Sequence, residues 1–206
     1  MANDTHPPGD RRLHFPATAR NRGPILDALA PHLAGAARAL EVASGSGEHV
    51  AYLAPRFPDT VWLPSDPAPP HRASIAAWTA GLENVEPPRD LDVTASPWGL
   101  APVDAVLCVN LIHIAPWAAC LGVLAGAAEV LCPDGFLYLY GPFTRDGRHT
   151  ADSNARFDAN LRAQNPAWGV RDLGAVDAAA RDRGLAIDAT APMPANNLSV
   201  FLRRKV

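Results

Sequence analysis

The stretch Glu41-Val42-Ala43-Ser44-Gly45-Ser46-Gly47-Glu48-His49-Val50 decides how the rest of the chain is read. It closes a short apolar run that begins at Arg38 and opens a helical pattern, His49 to Arg56, which Pro58 stops. Two glycines let a backbone approach a ligand closely, and the new helix presents N–H groups without partners. Outward from this turn the alternation repeats. Thr60 to Asp66 reads as a short strand, His71 to Leu82 as a helix, Arg89 to Val93 as a weak strand and Val103 to Val109 as a strong one. Pro116 to Leu131 reads as a helix ended by Pro133-Asp134-Gly135, and Phe136 to Tyr140 as a strand. Upstream, Ala17 to Ala34 has helical spacing, with Ile25, Leu26, Leu29 and Leu33 on one side. Strands alternating with helices indicate βαβ units and a parallel sheet covered on both faces.

The last third differs. Ser153 to Ala163 and Arg171 to Arg183 read as helices, the first N-capped by Asp152 or Ser153. Leu185 to Thr190 and Leu198 to Arg204 read as strands whose connection is too short for a crossover helix, so they are expected to pair as an antiparallel hairpin. The expected fold is α/β: a doubly wound, mostly parallel seven-stranded sheet with a C-terminal antiparallel hairpin. Residues 1–16, polar and Pro-rich, read as an N-terminal arm, and residues 17–206 as one domain.

Composition narrows the function classes. At 48% hydrophobic and 19% charged residues the chain can bury a sizeable core, and a net charge of −3 argues against a strongly basic nucleic-acid binder. Lys205 is the sole lysine, too close to the C-terminus to serve as a Schiff-base or P-loop lysine. Cys108, Cys120 and Cys132 sit in apolar surroundings with no Cys-x-x-Cys pair, so buried reduced thiols in a cytoplasmic protein are expected. Ala105 to Ala128 lacks formal charge, but Asn110, His113, Pro116, Gly122 and Gly126 interrupt it, giving strand, loop and helix rather than a membrane span. No His-x-x-x-His spacing occurs, so no metal is expected.

In an open parallel sheet, ligands bind outside the carboxyl ends of the strands. A dinucleotide turn wants Gly or Ala where this chain has Val50, and Glu48 would repel a pyrophosphate it faced. Glu41, at the front of the turn, suits a ligand with a cationic amino-acid portion. The plain alternative is a strand–helix turn with no ligand. The pattern Glu-x-x-x-Gly-x-Gly resembles the first motif of class I S-adenosylmethionine-dependent methyltransferases. Asp66 lies 19 residues after Gly47, where a carboxylate can accept both ribose hydroxyls or merely cap the next helix.

The resemblance implies S-adenosyl-L-methionine as cofactor and a Rossmann-like class I sheet into which a late strand inserts antiparallel. It assigns Ala43, Ser44, Gly45, Ser46 and Gly47 to the cofactor cradle. Asp92 with Val93 would meet the adenine amino group, with Asp90 as a rival, and Asn110 the methionine end. Arg20 and Asn21 would cover the cofactor carboxylate. Strings such as Ala19-Arg20-Asn21-Arg22, Asn110-Leu111-Ile112-His113-Ile114, Tyr140-Gly141-Pro142-Phe143, Trp168-Gly169-Val170-Arg171-Asp172 and Pro194-Ala195-Asn196-Asn197-Leu198 are similar to the methyltransferase-like 26 family, from about Arg11 to the C-terminus. That family implies a methyltransferase of unassigned substrate.

Methyl transfer is an in-line displacement in which positioning supplies much of the catalysis. A base is needed only where the acceptor must lose a proton. His113 is the candidate base, with a structural role as the alternative, and Tyr140 is the second catalytic candidate. Phe143, Asn154, Phe157, Asn160, Asn196 and Asn197 are candidate substrate contacts. Leu111-Ile112 stands where DNA and glutamine methyltransferases carry prolines, which argues against those acceptors. The expected partner is a small-molecule methyl acceptor, with no nucleic acid or membrane, and the protein a monomer or homodimer. Two rivals remain: a cofactor-binding protein without turnover, and a nicotinamide-dependent reductase, which Val50 and the flanking acids disfavour.

Overall fold

Ile25, Leu29 and Leu33 bring one side of the first helix, α1 (Pro16–Leu33), into the core, where all three are buried. Pro16 opens it at a position whose N–H has no helical partner in any case. The computed structural model describes residues 10–205, so the arm expected over residues 1–16 falls largely outside the described residues. Next come β1 (Arg38–Val42), α2 (Glu48–Leu53), β2 (Val61–Pro64), α3 (Pro69–Trp78), β3 (Val103–Val109), α4 (Trp117–Val130) and β4 (Leu131–Gly141). The remainder is β5 (Phe143–Arg145), β6 (Arg148–His149), α5 (Asp152–Gln164), β7 (Arg171–Asp172), α6 (Leu173–Arg181), β8 (Leu185–Met193) and β9 (Asn197–Arg204).

The main sheet has six strands in the order β2-β1-β3-β4-β9-β8. The first four run parallel, and β9 is antiparallel to both its neighbours. A 3-10 turn, Pro194–Asn196, joins β8 to β9. The seventh strand expected over Arg89–Val93 is absent. Instead the backbone from Asn84 to Arg89 lies beside β2: Glu86 N donates to Trp62 O (2.8 Å) and Arg89 N to Pro64 O (2.9 Å). Only two isolated bridges form, Trp62 with Val85 and Ser65 with Arg89. Pro87 and Pro88 stand between them without N–H groups, so no continuous ladder can close.

Successive strand residues alternate between two cores, as a period of two requires. Leu40, Val106, Leu137 and Leu202 face one side, packed with residues of α4 and α6; Ala39, Ala105, Tyr138 and Phe201 face the other, with residues of α1 and α2. Gly122 and Gly126 of α4 are small because the Val93–Trp98 loop rests on that helix. A Cβ at Gly126 would run into the Trp98 ring, and one at Gly122 into the Val93 carbonyl. Among the described residues no helix is long and apolar enough to cross a membrane.

Other expectations shift. A small sheet, β6-β5-β7, forms between segments the sequence left unassigned, and β7 takes the first two residues expected of a helix at Arg171. That helix, α6, is capped by Asp172, which accepts from Ala175 N. In α5 the cap position falls on Ala151, placing Asp152 in the first turn rather than at the cap. Cys108 and Cys120 are buried free thiols, but Cys132 is only half-buried.

Candidate functional site

The carboxyl ends of the parallel strands border a cavity of about 990 Å³. Glu41 reaches its wall from the end of β1, although only 2% of the residue is exposed. Burial, aided by the nearby charge of Asp66, pushes its carboxyl up to about 7 against a hydrogen bond from Ser44. Oε2 of Glu41 has no hydrogen-bond partner. A buried acceptor left unsatisfied is costly. The Glu41 backbone carbonyl meanwhile accepts from Ser65 Oγ (2.9 Å) and Ser44 Oγ (3.2 Å), pinning the turn to β2.

Asp66 ties the same turn to the next helix. Its Oδ2 accepts from Gly45 N (3.0 Å); its Oδ1 accepts from Ala68 N (2.9 Å) and lies 3.0 Å from His71 Nδ1. Oδ2 keeps a second lone pair for a ligand, so capping and ligand contact are compatible. Asp92 also borders the cavity; Thr94 N and Oγ1 bind its Oδ1 and hold its carboxyl below the usual range, leaving Oδ2. Its rival Asp90 pairs with Arg72 (3.1 Å) and does not line the cavity.

Arg20 and Asn21 of α1, Ala43, Ser44, Gly45 and Ser46 of the turn, and Val93 and Asn110 all line the cavity. So do Tyr140, Asn154, Phe157 and Asn197. Four expected contacts, and Asn160, do not. Gly47 faces α3, where a Cβ would meet Ile75 Cα at 2.6 Å. Phe143 is buried in the core, and Asn196 turns its amide to Ser153 Oγ (3.1 Å). His113, 1% exposed, lies against Gly141 and edge-on to Phe143 at 5.2 Å. Neither ring nitrogen has a partner, and burial drives the imidazole down to about 3. The ring expected as a base is therefore neutral, and it is not among the residues that line the cavity.

Some lining groups were not singled out in the sequence as site residues. His49 of α2 sits with Nε2 2.9 Å from Asn21 Oδ1, and burial lowers it to about 4, so it is neutral. Asn197 Nδ2 donates to the Tyr140 hydroxyl (3.1 Å). Glu48, by contrast, does not line the cavity: it accepts from Phe15 N (2.8 Å) and Ser46 Oγ (2.9 Å). This draws Phe15 across Gly45 at the cavity edge. No local signal announces these partners, since Asn21, His49, Tyr140 and Asn197 come from four separate elements. Among the described residues no cluster of His, Cys, Asp and Glu could hold a metal.

The fold is shared with solved structures. The mitomycin 7-O-methyltransferase MmcR superposes with a TM-score of 0.79 at 19% identity, covering 91% of this chain and 54% of that one. An O-methyltransferase family protein from Burkholderia thailandensis gives 0.79 at 19%, covering 92% and 57%. Human N-acetylserotonin methyltransferase, solved with S-adenosylmethionine, gives 0.78 at 14%, covering 92% and 53%. The chain thus spans little more than half the length of these proteins, and at such identities the likeness establishes the fold. The family described as Protein of unknown function (DUF938) matches residues 12–204, and the chain belongs to that family.

Proposed function

We propose that the protein is an S-adenosylmethionine-dependent methyltransferase acting on a small-molecule acceptor. The observation that carries this reading is Glu41: a buried carboxyl with an unpartnered oxygen on the wall of a cavity large enough for a nucleoside and an acceptor. A cationic amino-acid head beside it would fill the missing contact. Support comes from the methyltransferases that share the fold, one of them solved with this cofactor, and from the sequence resemblance to the methyltransferase-like 26 family.

When bound, the sulfonium supplies an electrophilic methyl carbon. Glu41 holds the amino group, Asp66 the ribose through its free lone pair, and Asp92 the adenine amino group through Oδ2. Arg20 and Asn21 cover the carboxylate end. Phe157, Asn154 and Asn197 then orient the acceptor. The chain's contribution is alignment, worth several kcal/mol when both reactants are held in line. The charge balance and free cysteines favour a cytoplasmic enzyme without a nucleic-acid partner.

A second reading, a cofactor-binding protein without turnover, draws on the burial of His113. Calorimetry with S-adenosylmethionine, followed by S-adenosylhomocysteine formation over a metabolite panel, separates the two; binding without any turnover selects the second. Asp66→Ala is expected to weaken cofactor binding by about 1–3 kcal/mol, the cost of losing a buried hydrogen-bond partner. Unchanged affinity in that variant would remove Asp66 from the ribose site.

A further inference from the structure

We infer that Phe15 is a further cofactor-binding residue, carried on a strap, residues 12–15, that closes the ribose side of the cavity and is anchored there by Glu48. This rests on the proposed methyltransferase function and adds a contact to the same site.

The strap is tied to both helices that flank the glycine turn. Leu13 N donates to Ser74 Oγ (2.8 Å), and Trp78 Nε1 donates to Leu13 O (2.9 Å). Ser74 Oγ in turn donates to Ser46 O (2.6 Å), so α3 links the strap to the turn. Arg12 places its guanidinium 5.2 Å from the Trp78 ring, and the His14 ring meets Trp78 edge-on at 4.9 Å. On α2 the anchor is Glu48: Phe15 N donates to its Oε2 (2.8 Å), and His14 Nδ1 lies 3.2 Å from its Oε1. A carboxylate only 7% exposed is costly unless it is hydrogen-bonded. Apart from Ser46 Oγ, these contacts to Glu48 come from the strap, and Glu48 does not line the cavity. Its carboxylate is therefore committed to holding the strap.

The strap delivers an aromatic ring to the cavity edge. Phe15 borders the cavity and stays 40% exposed, whereas Phe136, Phe143 and Phe201 are exposed by 3% or less. The ring lies over Gly45, where an added Cβ would be 2.9 Å from Phe15 Cε2, and edge-on to His71 at 5.9 Å. Gly45 N and His71 Nδ1 are the two groups that flank the Asp66 carboxylate, each 3.0 Å from one of its oxygens. Phe15 thus stands beside the carboxylate assigned to the ribose. A phenyl ring can make no ordinary hydrogen bond, so its gain there is coverage by the apolar faces of a nucleoside. Immediately after Phe15, α1 begins and brings Arg20 and Asn21 to the same cavity. One continuous segment then contributes the ring and both groups assigned to the carboxylate end of the cofactor.

The test uses the full chain and S-adenosylhomocysteine. Calorimetry comes first: no binding to the unmodified protein would remove the proposed function and the present inference with it. With binding established, Phe15→Ala is expected to weaken it by about 5- to 30-fold, the loss of apolar coverage on one ring, and Phe15→Leu by less. The urea midpoint of Phe15→Ala without ligand is expected to shift little, because the ring is already exposed. Unchanged affinity, with or without a lower midpoint, overturns the inference and leaves cofactor binding standing. Hydrogen exchange needs no variant. In the unmodified protein, exchange of the peptide spanning residues 10–18 is expected to slow at least about tenfold when the ligand is present at 100 times its Kd. Exchange that does not slow, or that slows equally in Phe15→Ala at equal saturation, overturns the closing role of the ring. Glu48→Ala is expected to speed exchange of the same peptide without ligand, with Glu48→Gln, which keeps one oxygen for Phe15 N, in between. Unaltered exchange in both would remove Glu48 as the anchor.

Discussion

Glu41→Gln is expected to weaken S-adenosylmethionine binding by about 1.5–3 kcal/mol, because it replaces a charge-assisted contact by a neutral one inside a buried site. The pH dependence makes the prediction specific. In the free protein this carboxyl sits at about 7, raised chiefly by burial, against 4.5 in an unfolded chain. Between those values the folded protein holds a proton that the unfolded chain has released. Stability therefore falls as pH rises through that window, by roughly 3 kcal/mol in all, and levels off above about 7. A cationic ligand prefers the ionised form, so its binding releases a proton below neutrality and tightens as pH rises from about 6 to 8. Calorimetry in two buffers of different ionisation enthalpy measures the released proton directly. Glu41→Gln is expected to lose both the proton release and the falling stability curve. Proton uptake, or no exchange at pH 6, would show that Glu41 does not meet a cation.

Gly47→Ala is expected to lower stability by about 2–4 kcal/mol while leaving direct ligand contacts intact, since Gly47 packs against α3 and does not line the cavity. Two costs combine. The backbone at Gly47 has φ of +88°, which costs a residue bearing a Cβ about 1–2 kcal/mol. The added carbon would also lie 2.6 Å from Ile75 Cα, a backbone atom that yields only if α3 moves. Gly35→Ala separates the two, because Gly35 has φ of +82° with nothing within 4 Å of the added carbon. It is expected to lose about 1–2 kcal/mol, the conformational cost alone. Urea unfolding midpoints at unchanged slope measure both. Equal losses in the two variants would mean that α3 does not press on the turn.

These two residues also show how far the sequence could be read. Glu41 stood out because an acid before a Gly-x-Gly turn, at the end of a strand, has few structural uses; the structure adds that one of its oxygens is unpartnered. Gly47 was legible as a turn glycine, but its neighbour Ile75 lies 28 residues further along the chain, and no local pattern distinguishes packing from ligand approach. The surroundings of His113 were out of reach for the same kind of reason: its place just past β3 is local information, whereas its burial beneath Gly141 and Phe143 depends on the end of β4 and the start of β5. The expected third strand is replaced by backbone lying just before it, where the visible Pro87-Pro88, lacking N–H groups, keep the pairing beside β2 to two isolated bridges.

By itself the sequence determined the order of the six main-sheet strands and the helices between them, the glycine turn and the acids that follow the first two strands. Periodicity, proline and glycine act over a few residues and carry their meaning locally. Only the tertiary structure decided which of Asp90 and Asp92 faces the cavity, that His49 meets Asn21 and Asn197 meets Tyr140, and that His113 is buried off the cavity wall. Those are matters of distance between side chains far apart in the chain, set by how helices settle on a twisted sheet and by which surfaces close over each other.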